Sequence, residues 1–362
     1  MATNGNPQAH WADRFVEQLL ASRTPPAGPW TVATGISPSG PFHVGHLREI
    51  LTGDAVARSL REKGHDARLV FIVDNLDPLR KVYPFLDAAV YEPLVGRPLA
   101  EVPAPEGEGS YDEYFLAAFL DALHKLRVDA EVRRASEMYR DGTMDDVVFT
   151  ALEKRDPIAE IIGRITKREV PEDWSPWNPR CPETGRIVQG RVLEHDRAAG
   201  RIRFLSPHTG DTVHEAGPRD GGKLTWRVDW PARWRALEVR VEPFGKDHAS
   251  RGGSYDTGEA LAREVFEIEP PPPLIYEWIS LKGQGDMAAS KGNVLEPSLL
   301  LEMVPPEALR YMVMKARPVR AIRFDPGLPL LSLVDEVDDA SARGRDERAL
   351  QLSRAAGFKP VG

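Results

Sequence analysis

The sequence predicts an α/β fold: a parallel sheet flanked by helices, with a small inserted β-ribbon and a short helical segment at the C-terminal end. Two apolar, β-branched runs at 30–34 and 67–75 (WTVAT and ARLVFIVDN) enclose a helical pattern over 43–63, which is the order of a β-α-β unit. Residues 170–226 are rich in turn-forming residues and short alternating segments, which is typical of an antiparallel ribbon. At 362 residues the chain is long enough for about two domains.

The individual elements follow from side-chain periodicity. A helix is predicted over 8–22 because Trp11, Phe15 and Leu19 share one face, and the helix over 43–63 ends at a glycine. Further helices are predicted at 112–127, 138–168, 254–266, 297–303 and 305–316. Further strands are predicted at 130–135, 186–195, 201–205, 211–215, within 236–248 and at 273–283. The predicted units are an α/β half (1–169), the ribbon (170–226), a second α/β half (227–296) and the helical C-terminal segment (297–362).

Composition narrows the class of protein. Hydrophobic residues make up 41% of the chain and charged residues 28%, and no apolar run approaches the ~20 residues that span a bilayer. The N-terminal residues lack a signal-peptide pattern, and the single cysteine, Cys181, suits a reducing compartment, so a cytoplasmic protein with no membrane partner is expected. The net charge of −8 does not favour attraction to RNA, although a local basic patch remains compatible with it.

The segment GISPSGPFHVGH, residues 35–46, joins the first strand to the following helix. Its glycines allow close backbone approach, and the helix start offers free N–H groups to a phosphate. His43 and His46 are three residues apart, so both rings lie on one face of the first turn. Two imidazole donors at this point suit charge that builds on a phosphate, while local capping and zinc ligation are the alternatives.

Several motifs carry a resemblance to a known family. TGISPSGPFHVGH (34–46) resembles the HIGH signature of class I aminoacyl-tRNA synthetases, and with the following LREILTGDAVARSLREKG it is similar to the class I lysyl-tRNA synthetases. The resemblance covers about residues 10–345. Other runs match that family in order: DNLDPLRKV (74–82), WRVDWPARW (226–234), EPFGKDHASRGGSYDTG (242–258), YEWISLKG (276–283) and SKGNV (290–294).

The resemblance implies a Rossmann-like nucleotide-binding fold and a reaction in which lysine and ATP, with Mg²⁺, give lysyl adenylate and then lysyl-tRNA. It implies catalytic roles for His43, His46 and Lys291. The implied ATP-binding residues are Ser39, Gly40, His43, Gly45, His46, Ile279, Ser280, Ser290 and Lys291, with Gly45 lying under the adenine or ribose. The implied amino acid-binding residues are Gly35, Ser37, Asp74, Trp226, Trp230, His248 and Tyr276, with Asp74 on the α-ammonium and Asp229 and Asp247 as weaker acidic candidates.

The sequence departs from the family pattern in three places. The second signature loop reads DMAASKGN (286–293), with Asp286 where a lysine is usual, so slow adenylation is expected unless Lys282 or Lys291 substitutes. The ribbon keeps Cys181 but lacks the paired cysteines of a zinc site, and His195, His208 and His214 show no ligand-like spacing, so no structural zinc is expected. The family's C-terminal anticodon-binding domain is expected to be missing, which makes tRNA a doubtful partner.

Three functions are therefore compatible with the sequence. The first is a lysyl-type synthetase core, and the second is a stand-alone paralogue that passes activated lysine, or an analogue, to another acceptor. The third is a non-catalytic protein that keeps the ligand pocket. Activation of a lysine-like amino acid with ATP is the function that the motifs favour.

Overall fold

The computed structural model describes residues 9–354, apart from 284, 288–293, 326 and 328. The helices are α1 (Trp11–Ser22), α2 (Val44–Glu62), α3 (Ala88–Tyr91), α4 (Tyr111–Lys125), α5 (Ala135–Arg140), α6 (Asp145–Glu153), α7 (Arg155–Thr166), α8 (Trp226–Ala236), α9 (Ser254–Glu264), α10 (Pro297–Met303), α11 (Pro306–Lys315), α12 (Pro329–Ala342) and α13 (Glu347–Ser353). The strands are β1 (Trp30–Ile36), β2 (Ala67–Val73), β3 (Ala130–Arg134), β4 (Trp177–Pro179), β5 (Arg191–Asp196), β6 (Arg201–Leu205), β7 (Val213–Ala216), β8 (Gly222–Leu224), β9 (Val239–Val241), β10 (Pro243–Gly245), β11 (Leu274–Tyr276), β12 (Ile279–Leu281), β13 (Gly285–Asp286) and β14 (Ile322–Phe324). Short 3₁₀ turns occupy Glu92–Leu94, Leu99–Glu101 and Lys246–Ala249.

The central sheet has four strands in the order β3-β2-β1-β9. β1 and β2 pair over their full lengths, from Trp30 opposite Ala67 to Ile36 opposite Val73. All pairings in this sheet are parallel, so the carboxyl ends of the strands lie along one edge. With α2 as the connection from β1 to β2, the sheet confirms the predicted α/β fold class.

Both faces of the sheet are buried, and alternate residues along β1 and β2 belong to different cores. Val32 and Phe71 belong to a core formed with α1, α2, α4 and α11, whereas Ala33, Val70 and Ile72 belong to a second core with α5 to α9. Successive side chains of a strand point to opposite faces, so a strand with apolar residues at every position serves two cores. This double burial explains why β1 and β2 read as continuous apolar runs in the sequence.

The inserted ribbon is antiparallel, as the sequence predicts. β5, β6 and β7 form a three-stranded sheet, and β4 and β8 pair at its base before the chain enters α8. On β6, Ile202 and Phe204 are buried while Arg201 and Arg203 are exposed, which is the alternation of a sheet with one wet face. The domain bounds proposed from the sequence stay predictions.

Two elements differ from the sequence expectation. The helix expected over 138–168 is divided into α5, α6 and α7, and the first break follows at Gly142, whose φ of +87° suits a helix C-terminus. The strand expected over 273–283 is divided between Tyr276 and Ile279, because β11 pairs with β10 whereas β12 pairs with β13 and β14. Among the described helices, none combines the length and apolarity needed to cross a bilayer.

Candidate active site

A cavity of about 380 Å³ opens at the carboxyl edge of the central sheet. It lies between the start of α2 and the segment that runs from β10 to β12. Its described lining consists of Gly35, Ile36, Ser37, His43, Gly45, His46, Glu49, Gly245, Asp247, His248, Tyr276, Trp278, Ile279 and Met287. Two stretches that are far apart in the sequence therefore form one site, which is where ligands bind in folds of this class.

The two histidines open α2 and face this cavity together. His43 is the N-cap residue of the helix, and its backbone N–H donates to Nδ1 of His46 at 3.0 Å. The two rings are stacked with centroids 3.9 Å apart, and Phe42 packs edge-on against His46. Because Nδ1 of His46 accepts a hydrogen bond, the proton of the neutral ring is on Nε2.

Both histidines are neutral at physiological pH. Burial lowers the pKa of His43 to about 4. Burial, with repulsion from His43 as a second cause, holds the pKa of His46 well below its usual value. Each ring therefore offers an N–H donor without a permanent positive charge. The two rings form a donor pair that suits phosphate oxygens. The sequence expectation of free N–H groups at the helix start is corrected in part, because the amides of Val44 and His46 already donate to the carbonyls of Leu295 and His43 at 2.9 Å.

Gly45 is needed between the two histidines for a local reason. A Cβ at this position would lie 2.7 Å from Nδ1 of His43, which is far inside van der Waals contact. The glycine therefore allows the His43 ring to fold back over the first turn of α2. The role of Gly45 under an adenine or ribose stays a prediction.

Glu49 is the residue of the site that sequence reasoning missed. One carboxyl oxygen accepts from the Gly35 backbone N–H at 2.7 Å, and the other accepts from the Tyr276 hydroxyl at 2.6 Å. Burial raises the pKa of Glu49 to about 8, and the charges of Glu242 and Asp247 add to the rise. A signal was present in the sequence, since Glu49 follows His46 by three residues on the same helix face.

Two acids, Glu49 and Asp247, line the cavity, and a carboxyl oxygen of Asp247 lies 3.4 Å from Nε2 of His248. Glu242 lies behind Gly35, with a carboxyl oxygen 3.9 Å from the position of an added Cβ. Glu242 is buried and accepts from the Trp234 indole N–H at 2.6 Å. The part of the lining that the structure describes contains no lysine or arginine. This end of the cavity therefore becomes electronegative when Glu49 loses its proton, at a pH above about 8.

Trp226 and Trp230 support the site from behind rather than lining the cavity. They stack with ring centroids 5.5 Å apart on α8. His248, which does line the cavity, packs against both, at 5.7 Å from Trp226 and 5.4 Å from Trp230. The two tryptophans thus fix the position of His248.

Asp74 lies in a network of ion pairs, and its predicted role on the α-ammonium of a substrate stays a prediction. Asp74 is 4% exposed, and its carboxylate pairs with Lys223 at 2.6 Å and with Arg233 at 2.9 Å. Lys223 also contacts Asp77 at 2.5 Å, and Arg233 pairs with Asp229. The charge of Asp74 is neutralised within the protein, because β8 of the ribbon base and α8 bring two cations to the end of β2.

The remaining predicted residues fall into two groups. Ser39 and Gly40 form the turn before α2, where the Tyr111 hydroxyl donates to the Ser39 carbonyl at 2.8 Å, and Ser280 lies on β12 beside the cavity-lining Ile279. Ser290 and Lys291 lie outside the described residues. That they share a pocket with the two histidines therefore stays a prediction. The residues predicted for the site that do line the cavity are Gly35, Ser37, His43, Gly45, His46, His248, Tyr276 and Ile279.

The ribbon holds the single cysteine of the chain and three histidines as candidate metal ligands. Cys181 is fully buried. His214 contacts the Thr209 hydroxyl at 2.7 Å. Within the described ranges, no three His, Cys, Asp or Glu side chains are grouped as metal ligands would be. The expectation of a ribbon without zinc stays a prediction that metal analysis decides.

This chain is similar to two lysine–tRNA ligases in sequence and to a solved synthetase structure in fold. A lysine–tRNA ligase 1 of Methanosarcina acetivorans is 50% identical over 361 aligned residues, covering 96% of this chain and 66% of that protein. A lysine–tRNA ligase of Archaeoglobus fulgidus is 47% identical over 345 residues, covering 95% and 68%. Methionyl-tRNA synthetase of Mycobacterium tuberculosis, solved with methionyl-adenylate, matches with a TM-score of 0.52 at 14% identity, covering 87% of this chain and 69% of that one, which shows a shared fold.

The chain spans about two thirds of the length of these ligases. The family described as tRNA synthetases class I (K) matches residues 9–356, which is nearly the whole described chain. The fold of the parallel sheet, the histidine turn at the start of α2 and the identity to the ligases agree with that match. The chain belongs to the class I (K) family of tRNA synthetases.

Proposed function

We propose that the cavity binds ATP and a cationic amino acid, lysine in the first instance, and joins them as an aminoacyl adenylate. The observation that carries this proposal is the carboxyl group of Glu49, which lies in a cavity wall that has no described lysine or arginine. A buried acid without a partner costs stability, and a site that keeps one gains by receiving a cation. The side-chain ammonium of lysine supplies that cation.

The amino acid end of the site is built for a long, charged side chain. The Tyr276 hydroxyl and the Gly35 N–H hold the Glu49 carboxylate in a fixed orientation. Trp278 and His248 give the wall an aromatic surface against which a four-carbon stem packs. Asp247, on the same wall, supplies a second acid for the other ammonium of the substrate. These positions support the assignment of the side-chain ammonium to Glu49 and of the α-ammonium to Asp247.

The nucleotide end of the site is formed by the start of α2. In the proposed step a carboxylate oxygen of the amino acid attacks the α-phosphorus of ATP, and the bond from that phosphorus to the bridging oxygen breaks. Pyrophosphate leaves with the electron pair, and no proton transfer is required. The N–H groups of His43 and His46 donate to the phosphate oxygens as charge shifts between them, which is catalysis by a preorganised donor set.

Mg²⁺ commonly accompanies ATP on the phosphates. Asp247 and Glu49 are the acids in the described lining, and no three candidate ligands are grouped anywhere in the described chain. The protein therefore offers no dedicated site for the ion among these residues, and no step of the mechanism is assigned to it.

The acceptor of the activated amino acid is proposed to be tRNA. The family and the names of the two ligases support this choice. Since the chain spans about two thirds of those proteins, its use of tRNA needs its own measurement.

Pyrophosphate exchange tests the activation step. We expect lysine-dependent exchange of labelled pyrophosphate into ATP, little exchange with norleucine, which keeps the stem without the charge, and loss of exchange in His43→Ala and His46→Ala with lysine binding retained. Exchange that is equal for norleucine and lysine would overturn the proposal. Transfer of labelled lysine to bulk tRNA then tests the acceptor, and exchange without transfer would assign another acceptor.

A further inference from the structure

Arg48 is a fully buried arginine on α2, directly between His46 and Glu49 on the chain. It does not line the cavity, because neighbouring positions on a helix point in different directions. Its guanidinium instead reaches the end of α11 and the turn that follows. Nη1 donates to the carbonyl of Val313 at 3.2 Å, and Nη2 donates to the carbonyls of Arg317, Pro318 and Arg320 at 2.8, 3.1 and 3.3 Å.

These contacts are unusual for a buried charge, since all four acceptors are backbone carbonyls. No ion pair of Arg48 with a carboxylate occurs among the described residues. Burial lowers the pKa of Arg48 to about 10, which still leaves the group charged at physiological pH. Charge-assisted hydrogen bonds to a helix end hold that segment firmly, because carbonyls at a helix C-terminus attract a cation.

The turn that Arg48 holds is hydrogen-bonded to the cavity wall. The carbonyl of Pro318 accepts from the Glu277 N–H at 2.8 Å, and the Trp278 carbonyl accepts from the Ile322 N–H at 3.1 Å. β14, which starts at Ile322, continues this attachment by pairing with β12. Glu277 stands between two residues of the cavity lining, Tyr276 and Trp278. The backbone of the wall is thus fixed from behind by the turn.

Two consecutive residues of α2 therefore act on the cavity wall, Glu49 directly and Arg48 through the turn that is hydrogen-bonded to Glu277. Glu49 reaches it from the cavity through the Tyr276 hydroxyl, and Arg48 reaches it from the core through the carbonyls of 317–320. Hydrogen bonds thus connect α2 to the wall at 276–278, the wall to the turn at 317–320, and the turn back to α2. A displacement of the turn moves the Tyr276 hydroxyl relative to Glu49.

We propose that Arg48 is a positioning residue for the amino acid cavity, which fixes the wall at Tyr276 and Trp278 through the backbone of residues 317–320. This inference rests on the proposed amino acid-binding function. Small displacements of a binding wall have large effects on affinity, because the oriented groups then miss their partners.

The test compares two buried arginines. Arg48→Lys keeps the charge but loses the fork that reaches several carbonyls at once. Arg310→Lys is the control, since Arg310 is also fully buried and donates to the carbonyls of Leu126, Leu352 and Ser353, away from the cavity lining. Unlike Arg48, it also pairs with a carboxylate, that of Asp54 at 2.5 Å. Each variant is measured for melting temperature, for KM of lysine and of ATP in pyrophosphate exchange, and for hydrogen exchange of the Glu277 amide.

We expect Arg48→Lys to raise the KM for lysine by about tenfold or more, with the KM for ATP nearly unchanged, and to speed exchange of the Glu277 amide. Arg310→Lys should lower the melting temperature without either change. A fall in melting temperature in Arg48→Lys with unchanged lysine KM and unchanged protection of the Glu277 amide would overturn the proposal.

Two further measurements test the proposal if Arg48→Lys fails to fold or if the protein shows no exchange activity. If Arg48→Lys fails to fold, Pro318→Gly loosens the same turn while leaving the guanidinium in place, and a selective rise in lysine KM is again expected. An unchanged lysine KM in that variant would count against the proposal. If the wild-type protein shows no exchange activity, the proposed function fails, and the Glu277 amide alone decides whether Arg48 positions the wall.

Discussion

Two groups of acids lie near the carboxyl edge of the central sheet, and they differ in what neutralises them. Asp74, Asp77 and Asp229 surround Lys223 and Arg233, and the five groups form a closed set of ion pairs. Glu49, Glu242 and Asp247 surround the cavity without any described lysine or arginine in its lining. The first group is neutralised within the protein, and the second is where the proposed function places the cation of a ligand.

The pKa values reflect the same contrast. Burial tends to raise the pKa of Asp74, but the charges of Arg233 and Lys223 more than offset it and hold the pKa below its usual range. Burial raises the pKa of Glu49 to about 8, where no cation opposes it. The comparison teaches that a buried acid is a candidate for binding when the fold leaves it without a counter-ion, and a structural residue when the fold supplies one.

The largest effect is expected from breaking the first group. Lys223→Met removes one of the two cations that pair with the buried Asp74, and it leaves the half-buried Asp77 with only the exposed Arg80. The free energy of unfolding should therefore fall by about 3–5 kcal/mol. Lys282→Met is the control, because its pair with Asp325 is exposed and should contribute less than about 1 kcal/mol. Urea unfolding monitored by tryptophan fluorescence measures both. Equal losses in the two variants would contradict the distinction between the groups.

Neutralising the second group should act more strongly on binding than on stability. Glu49→Gln keeps hydrogen-bonding atoms at Gly35 and Tyr276 but removes the charge, so lysine affinity should fall by about 30-fold or more. The melting temperature should change little at pH 7, where Glu49 holds a proton, and should rise above pH 8, where the variant lacks the unpaired carboxylate of the wild type. Calorimetric titration with lysine and with ATP separates the two sites. Undiminished lysine affinity would show that Glu49 does not meet the substrate cation.

The titration of Glu49 gives a pH dependence. Because lysine binding needs the carboxylate, affinity should rise by about tenfold per pH unit from pH 6 towards 8, and level off above the pKa of about 8. Stability of the free protein should change in the opposite sense, since the folded state holds a proton on Glu49 between the unfolded pKa near 4.5 and 8 and loses this advantage as pH rises. Both slopes should be absent in Glu49→Gln, and titrations across this range check them.

The smallest expected effect comes from the hydroxyl that orients Glu49. Tyr276→Phe removes one hydrogen bond from the carboxylate and keeps the ring in the wall, so lysine affinity should fall by about threefold to tenfold. The loss of that donor should also move the lysine-binding pH profile upward, because a hydrogen bond to the carboxylate favours its charged form. A profile that stays in place would show that the hydroxyl does not influence the titration of Glu49.

Local patterns were enough to predict the frame of the site. The strand, glycine-rich turn and helix at 30–63 follow from periodicity and turn chemistry within one continuous stretch, and the structure places His43 and His46 on a shared face. The division of the helix at 138–168 was missed, although a glycine marked it. Elements that are determined by neighbouring residues could be read directly from the sequence.

Pairings across the fold could not be read in this way. No residue near Asp74 in the sequence indicates that Lys223 pairs with it. Lys223 lies at the base of the ribbon, 149 residues further along the chain. The hydroxyl partner of Glu49 lies 227 residues away on β11. Whether a carboxylate is neutralised depends on such distant partners, so the sequence did not distinguish the environments of Glu49 and Asp74.

The strand order of the central sheet also has a consequence for synthesis. β1 ends at Ile36, and its outer neighbour β9 begins at Val239, about 200 residues later on the chain. At about 5–20 residues per second, the ribosome needs on the order of 10–40 s to supply that neighbour. Throughout this interval one edge of β1 presents unpaired amides and carbonyls. We therefore expect chaperones that act on nascent chains to engage residues 30–36 until β9 has emerged.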